Sequence, residues 1–214
     1  MRRRKVLKLA ALGAAGMFAG PYAAGSEDVG KPWFRWREDW RWMEGVAKRR
    51  GWDLIPLSIS PPAGEADILR IEAACGRRAP AQLRAALTVF SAHVRFGWHI
   101  PGHLQPMERL YFPTSSANRS AIWDLAHIEH DAIPNFLGWK RLLADRDRSE
   151  APNSPEMWEN QFPFYALVNG DMLTIDMSAP EGAQPVRYFS HELEMLHGQA
   201  LAPDFFTFIS EMAA

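Results

Sequence analysis

The last third of the chain constrains the fold most, because three strand patterns follow one another closely there. Asn169-Gly170 separates the first two patterns, and this dipeptide is the strongest short hairpin signal because both central residues of a type I′ turn need positive φ. Pro203, with aromatic residues behind it, predicts the start of a final helix. The predicted strands are 164–168, 171–176 and 185–189.

A stripe of large apolar residues near the start of the chain predicts a helix that Gly51 ends. The stripe recurs every three or four residues, the spacing of one helical face. A stacking platform for sugars or bases is one interpretation, but a buried helical face needs this same spacing, so we favour packing in the core. The stripe is Trp33, Trp36, Trp40, Met43 and Ala47.

The remaining patterns complete an α+β prediction. Alternation predicts a short strand or an extended connector at 54–59 and strands at 89–96 and 107–112, whereas 120–128 fits either period. Two helices are predicted at about 65–75 and 80–88, and a polar stretch with two prolines at 145–160 indicates a loop. Helices first, strands next and a final helix indicate an α+β domain with a mostly antiparallel sheet.

The C-terminal order of motifs resembles that of the SUKH superfamily, which includes fungal cell-wall synthesis regulators and many bacterial immunity proteins. The resemblance rests on Gly170-Asp171 in the hairpin, Asp176 closing the second strand, and a Pro185-Val186 strand that runs into Tyr188-Phe189-Ser190-His191-Glu192. A helix stopped by Gly76 and a second begun by Pro80 add to it, so that roughly 65–212 is covered. The resemblance implies a strand followed by a helix near 134–144, and binding rather than catalysis, with no catalytic residues.

The start of the chain predicts an export signal. Residues 3–8 fit the twin-arginine pattern, and the apolar run 9–24 ends in small residues, with cleavage expected after Gly25. An uncleaved anchor is the alternative, but sixteen residues give only about 24 Å of helix against about 30 Å of hydrocarbon. The predicted organisation is an export signal at 1–25, a linker and Trp-rich helix with connector at 26–64, and a SUKH-like domain at 65–214. The expected location is periplasmic or otherwise exported, with only transient membrane contact through the signal.

Charge and cysteine content restrict the partners. Residues 1–25 hold five basic residues and no acid, so the rest carries 19 basic and 25 acidic residues, a formal charge of −6. This balance argues against a nucleic-acid partner and permits a basic protein partner. Cys75 is the single cysteine, which excludes an intramolecular disulfide, and its apolar helical setting predicts a buried structural thiol.

Few residues suggest chemistry. His127 and His130 have the donor type of a metal ligand, but their spacing lacks further ligands at set distances, and we expect an exposed polar strand end there. The second charged group, at 191–197, is expected to be solvated. Asp171 and Asp176 are candidates for the paired acids of a hydrolase. Their positions at a turn and at a strand end have a simpler explanation, because Asp tolerates turn geometry and can bond its own backbone. No catalytic residue, metal or cofactor is therefore predicted.

Together these features predict a non-catalytic protein-binding domain, an exported SUKH-type immunity protein that neutralises a basic toxin by binding it. The expected partner contacts are exposed residues around Asp171, Glu192 and Glu194. Because of the export signal, the toxin is expected to act on the cell envelope, unless the exported role is a different one. Two alternatives stay open: an envelope-associated scaffold or cell-wall regulator that uses the tryptophan helix, and an exported metal-dependent hydrolase centred on His127 and His130.

Overall fold

Two antiparallel sheets account for the main strands in the part of the chain that the structure describes. The structure is a computed structural model that describes residues 32–99, 121–144, 156–167, 169–190 and 197–213. They belong to one compact unit, Pro32–Ala214. The predicted α+β class is confirmed. The predicted export signal and the strand at 107–112 lie outside the described residues.

The helices largely follow the predicted apolar periodicity. The first ends at Gly51, whose φ of 67° explains the choice of glycine at this helix end. Two π-helical turns, Ala86–Phe90 and Ile128–Ala132, continue the chain directly from α3 and α4. The helices are α1 Trp33–Arg50, α2 Glu65–Cys75, α3 Ala81–Ala85, α4 Leu125–His127, α5 Ile133–Ala144, α6 Glu156–Glu159 and α7 Phe205–Ala213. Within the described ranges, none of them has the length and apolar character needed to cross a bilayer.

The first sheet has the strand order β1-β2-β3, with β1 Asp53–Ile59, β2 His93–His99 and β3 Ala121–Asp124. The strand predicted at 89–96 therefore begins late. Residues 89 and 90 belong to the first π-helical turn, where the N–H of Ser91 donates to the carbonyl of Ala86. Residues 121–124 form the strand that the resemblance implied, but 125–128 are helical instead of extended, and α5 follows at the expected place.

The second sheet has the order β4-β5-β6-β7 and contains the three predicted C-terminal strands. The hairpin is confirmed, but its turn is not the two-residue type I′ turn. The N–H of Leu167 donates to the carbonyl of Asp171, and the N–H of Gly170 donates to the carbonyl of Leu167, so three residues form the loop. Gly170, with a φ of 94°, takes the positive-φ position of this hairpin. The strands are β4 Gln161–Ala166, β5 Met172–Asp176, β6 Val186–Phe189 and the unpredicted β7 Gln199–Ala202.

An aromatic cluster joins α1 to the first sheet and to α7. Trp36, Trp40 and Trp123 are each at most 1% exposed, and the ring of Trp123 lies 5.8 Å from that of Trp36 and 6.1 Å from that of Trp40. The indole N–H of Trp36 donates to Ser210 Oγ on α7 over 2.9 Å. The interpretation of the tryptophan stripe as a core face is confirmed. The helix is thus part of the same compact unit as residues 65–214 rather than of a linker in front of it.

Both faces of β5 and β6 are covered. Leu173 and Tyr188 face each other across the two strands and belong to the main core. Met172 and Phe189, the next pair, point to the opposite face because side chains alternate along a strand, and they pack with Phe136. Further along the opposite face, polar side chains replace the apolar ones, and this is where the candidate site lies.

Candidate binding site at the base of the 191–196 connection

Residues 191–196 join β6 to β7, and three hydrogen bonds hold the described residues on either side of this connection. The N–H of Gly198 donates to the carbonyl of Tyr188 over 2.7 Å, and His197 Nδ1 lies 2.9 Å from the carbonyl oxygen of Ser190. Arg187 Nη1 donates to the carbonyl of Gly198 over 2.7 Å. We call these flanking residues, 187–190 with 197–198, the loop base. The chain thus enters and leaves the connection at fixed points.

The imidazole ring of His197 is neutral and forms part of the loop base. Burial holds the pKa of His197 below its usual value, and this effect exceeds the opposing influence of Ser190 and Asp171. A neutral imidazole donates from Nδ1 to the Ser190 carbonyl. Its ring also contacts Trp158 and Phe189, with ring centres 5.5 Å and 5.0 Å away. His197 therefore has a structural role, and the expectation that it is solvated is wrong.

An ion pair lies beside the loop base. Arg187 Nε donates to Asp176 Oδ2 over 2.8 Å, and the other carboxylate oxygen accepts from the N–H and hydroxyl of Ser178 at 2.9 Å and 2.6 Å. Burial alone raises the pKa of Asp176, but the Ser178 hydrogen bonds and the Arg187 guanidinium outweigh it and hold the pKa below its usual range. Asp176 thus accepts from the backbone two residues along the chain, as Asp often does at a strand end.

A small open cleft lies at this ion pair. Met157, Gln161, Asp176 and Arg187 line it, and its volume is about 150 Å³. Small-molecule sites usually have about 300–1,000 Å³, so the cleft is suited to a single side chain of a partner. Gln161 is fixed in place because Thr174 donates its hydroxyl to Gln161 Oε1 over 2.7 Å.

Asp171 does not have the exposed position that the sequence predicts. Asp171 is only 2% exposed. Its carboxylate accepts hydrogen bonds from Tyr188 Oη and Asn169 Nδ2, and its backbone N–H donates to Asn169 Oδ1 over 3.1 Å. The expectation of an exposed contact at Asp171 is therefore wrong, because the carboxylate is directed into the sheet toward Tyr188. Since the Tyr188 carbonyl holds Gly198, Asp171 supports the loop base from within. Glu192 and Glu194 lie outside the described residues, and their role as contacts stays a prediction.

His127 also differs from its expected position. It lies at the end of α4 and is buried, with Nε2 at 3.0 Å from both the N–H and the carbonyl oxygen of Ala166, and Nδ1 at 3.0 Å from Asp131 Oδ2. The expected exposed polar strand end is wrong, since the residue lies in a helix and its ring packs onto the backbone of Ala166 in β4. His130, three residues along, is exposed. The two histidines therefore do not form one site, and the described residues contain no group of three potential metal ligands.

Cys75 is buried, as predicted, and burial raises the pKa of its thiol to about 11. A thiol with such a pKa is almost entirely protonated at neutral pH and is a poor nucleophile. It therefore has the packing role that the sequence indicated.

Sequence reasoning missed Arg187, Gln161 and Met157. The sequence did contain a signal for Arg187. This residue lies between Val186 and Tyr188, and the side chains of both neighbours face the core. A charged residue at that position points to the second face of the sheet and needs a partner there. Gln161 and Met157 carry no such signal, since they reach the cleft through tertiary packing.

Comparisons of the chain with protein-family models, with curated proteins and with solved structures each find no match. The resemblance to the SUKH superfamily stays a prediction that rests on the residues quoted above.

Asp176 makes stability depend on pH in the acid range. Its folded pKa lies below the unfolded value of 3.8, so its contribution is full above that value and disappears as the pH falls through the folded pKa. We expect Asp176→Asn to lower the free energy of unfolding most at neutral pH, with the difference from the unmodified protein shrinking as the pH falls below 3.8. Urea unfolding at a series of pH values measures this. A difference that is constant from pH 7 to pH 2 would show that the carboxylate charge makes no contribution.

Proposed function

We propose that this chain is a non-catalytic protein-binding domain, an exported protein of the SUKH immunity type that neutralises a toxin by binding it. The observation that carries the proposal is the loop base. Three hydrogen bonds fix both ends of the 191–196 connection, beside a cleft of the size of one partner side chain. Binding residues are commonly carried by short connections on a rigid scaffold.

Charge supports a basic partner. Without residues 1–25 the chain has a formal charge of −6, and Glu192 and Glu194 lie within the connection itself. Electrostatic complementarity of this kind speeds association and excludes partners of the same sign. The cleft adds specificity, because Arg187, whose side chain is 30% exposed, lines it with a guanidinium that Asp176 and the Gly198 carbonyl hold in place.

A competition assay tests the proposal. Deletion of the gene is expected to make the cells sensitive to a sibling strain that releases the toxin, and the unmodified gene is expected to restore resistance. The double variant Glu192→Lys with Glu194→Lys should fail to restore it, because two charge reversals facing a basic partner weaken binding by about a hundredfold. The matched control is Glu181→Lys with Glu211→Lys, which changes net charge equally at two exposed positions outside the connection.

The control variant is expected to protect as well as the unmodified protein. Deletion cells that stay resistant to every sibling strain but show an altered envelope would contradict the immunity proposal and favour the scaffold alternative. Equal loss of protection in both double variants would contradict the assignment of the connection as the contact.

A further inference from the structure

The outward side of α1 has an unusual composition for a surface helix. Nine of its residues are exposed, and these comprise six basic residues, two large aromatic residues and a single acid. Phe34 is 64% exposed and Trp42 is 57% exposed, the two highest values among the large exposed aromatic residues of the described chain. We call this side the outer face of α1; its exposed residues are Phe34, Arg35, Arg37, Glu38, Arg41, Trp42, Lys48, Arg49 and Arg50, of which Arg37 lies at its edge with the guanidinium 4.8 Å from the ring centre of Phe90.

The two exposed aromatic residues lie opposite the buried stripe. Successive residues of an α-helix are rotated by about 100°, which places Phe34 and Trp42 on the side away from Trp36, Trp40 and Ala47. Arg41 and Arg49 fall beside them on the same side by the same rotation. An apolar and basic surface therefore runs along the helix and faces away from the core.

Charge is divided between α1 and the rest of the chain. The helix holds six basic and three acidic residues, whereas the remaining residues from 26 onward hold 13 basic and 22 acidic ones. One acid of the helix, Glu44, is paired with Lys48 at 3.1 Å. A negatively charged surface therefore attracts α1 and repels the acidic remainder of the chain. This difference would orient the molecule with α1 toward that surface.

We propose that the outer face of α1 binds the surface of an anionic phospholipid membrane. Helices that lie in a membrane interface combine basic residues with Trp and Phe on one surface, and this is the composition found here. The position in the sequence agrees, because only eight residues, 25–32, separate the apolar run 9–24 from Trp33. As an uncleaved anchor that run would hold the start of α1 at a membrane, and as a cleaved signal it would bring α1 to the membrane during export only.

A fluorescent label on the helix tests this in the full-length protein. Glu38→Cys places a thiol among the exposed residues of the outer face without altering Phe34 or Trp42, and Cys75 reacts slowly because it is buried with a pKa of about 11. The thiol is labelled with nitrobenzoxadiazole, whose emission rises in an apolar environment. Ala66→Cys, exposed on α2, is the matched control position. The vesicles contain phosphatidylcholine alone or equal parts of phosphatidylcholine and phosphatidylglycerol.

We expect emission at position 38 to rise with the anionic vesicles, to rise less with neutral ones, and to exceed the response at position 66. Arg41→Ser and Arg49→Ser in the labelled protein should each lower partitioning about fivefold, the contribution of one basic residue near an anionic surface. Equal responses at positions 38 and 66 would overturn the proposal, since the apolar run alone would then explain binding. Equal responses to the two vesicle types, or an equal response to single-stranded DNA, would overturn it as well.

Discussion

Trp123→Ala is expected to lower the free energy of unfolding by about 4 kcal/mol, within the range of about 3–5 kcal/mol for removal of a buried Trp or Phe side chain. Trp123 has no exposed surface, and its ring lies among those of Trp36, Trp40, Phe90 and Phe205. Its indole N–H also donates to the buried carbonyl of Ser91 over 2.9 Å, and alanine removes that donor. Urea unfolding followed by circular dichroism measures the change.

Trp42→Ala is the matched control for this prediction, because it removes the same side chain from a position that is 57% exposed. We expect its effect to stay within about 0.5 kcal/mol, as for most surface substitutions. Equal losses for the two variants, or a loss below about 1 kcal/mol for Trp123→Ala, would contradict the aromatic cluster as the centre of the core.

Asp171→Ala is expected to cost about 2–3 kcal/mol, because a hydrogen bond to a charged group contributes about 1.5–3 kcal/mol and the Asp171 site is buried. The substitution removes the acceptor of the Tyr188 hydroxyl and of the Asn169 amide. It also weakens the loop base, since the Tyr188 carbonyl holds Gly198. The affinity for the proposed protein partner is therefore expected to fall together with stability.

A double-mutant cycle with Tyr188→Phe isolates the contact between the two side chains. If Asp171 acts through Tyr188, the double variant should lose about 1–2 kcal/mol less than the two single variants combined. Glu181→Ala, at an exposed site, is the control for removal of a carboxylate. Additive losses within about 0.3 kcal/mol would refute a direct coupling.

Elements with strong local patterns could be predicted from the sequence. The tryptophan stripe of α1 repeats every three or four residues and ends at a glycine, so both its core face and its end follow from local rules. The hairpin at 169–170 was predicted correctly, but not its turn type, since Gly170 meets the positive-φ requirement of either loop length. The turn type could not be predicted, because both loop lengths are compatible with the same local sequence.

Features that depend on distant partners were missed. Strand β7 has two exposed residues followed by a half-buried and a buried one, so it lacks alternation and exists because its backbone pairs with β6. His127 is buried because it covers the backbone of Ala166, which lies 39 residues away in the chain. Asp171 looked like an exposed turn residue, but the register of β5 and β6 brings Tyr188 to its carboxylate.

The measurement that tests exported toxin binding most directly is a pull-down of the tagged full-length protein from its native cells. The cells are separated into cytoplasm and periplasm, and mass spectrometry identifies both the captured proteins and the N-terminus of the protein itself. We predict a single basic, toxin-like partner in the exported fraction and an N-terminus near Ser26. An intact Met1 together with no specific partner would contradict the account, because both the export signal and the immunity role would then be wrong.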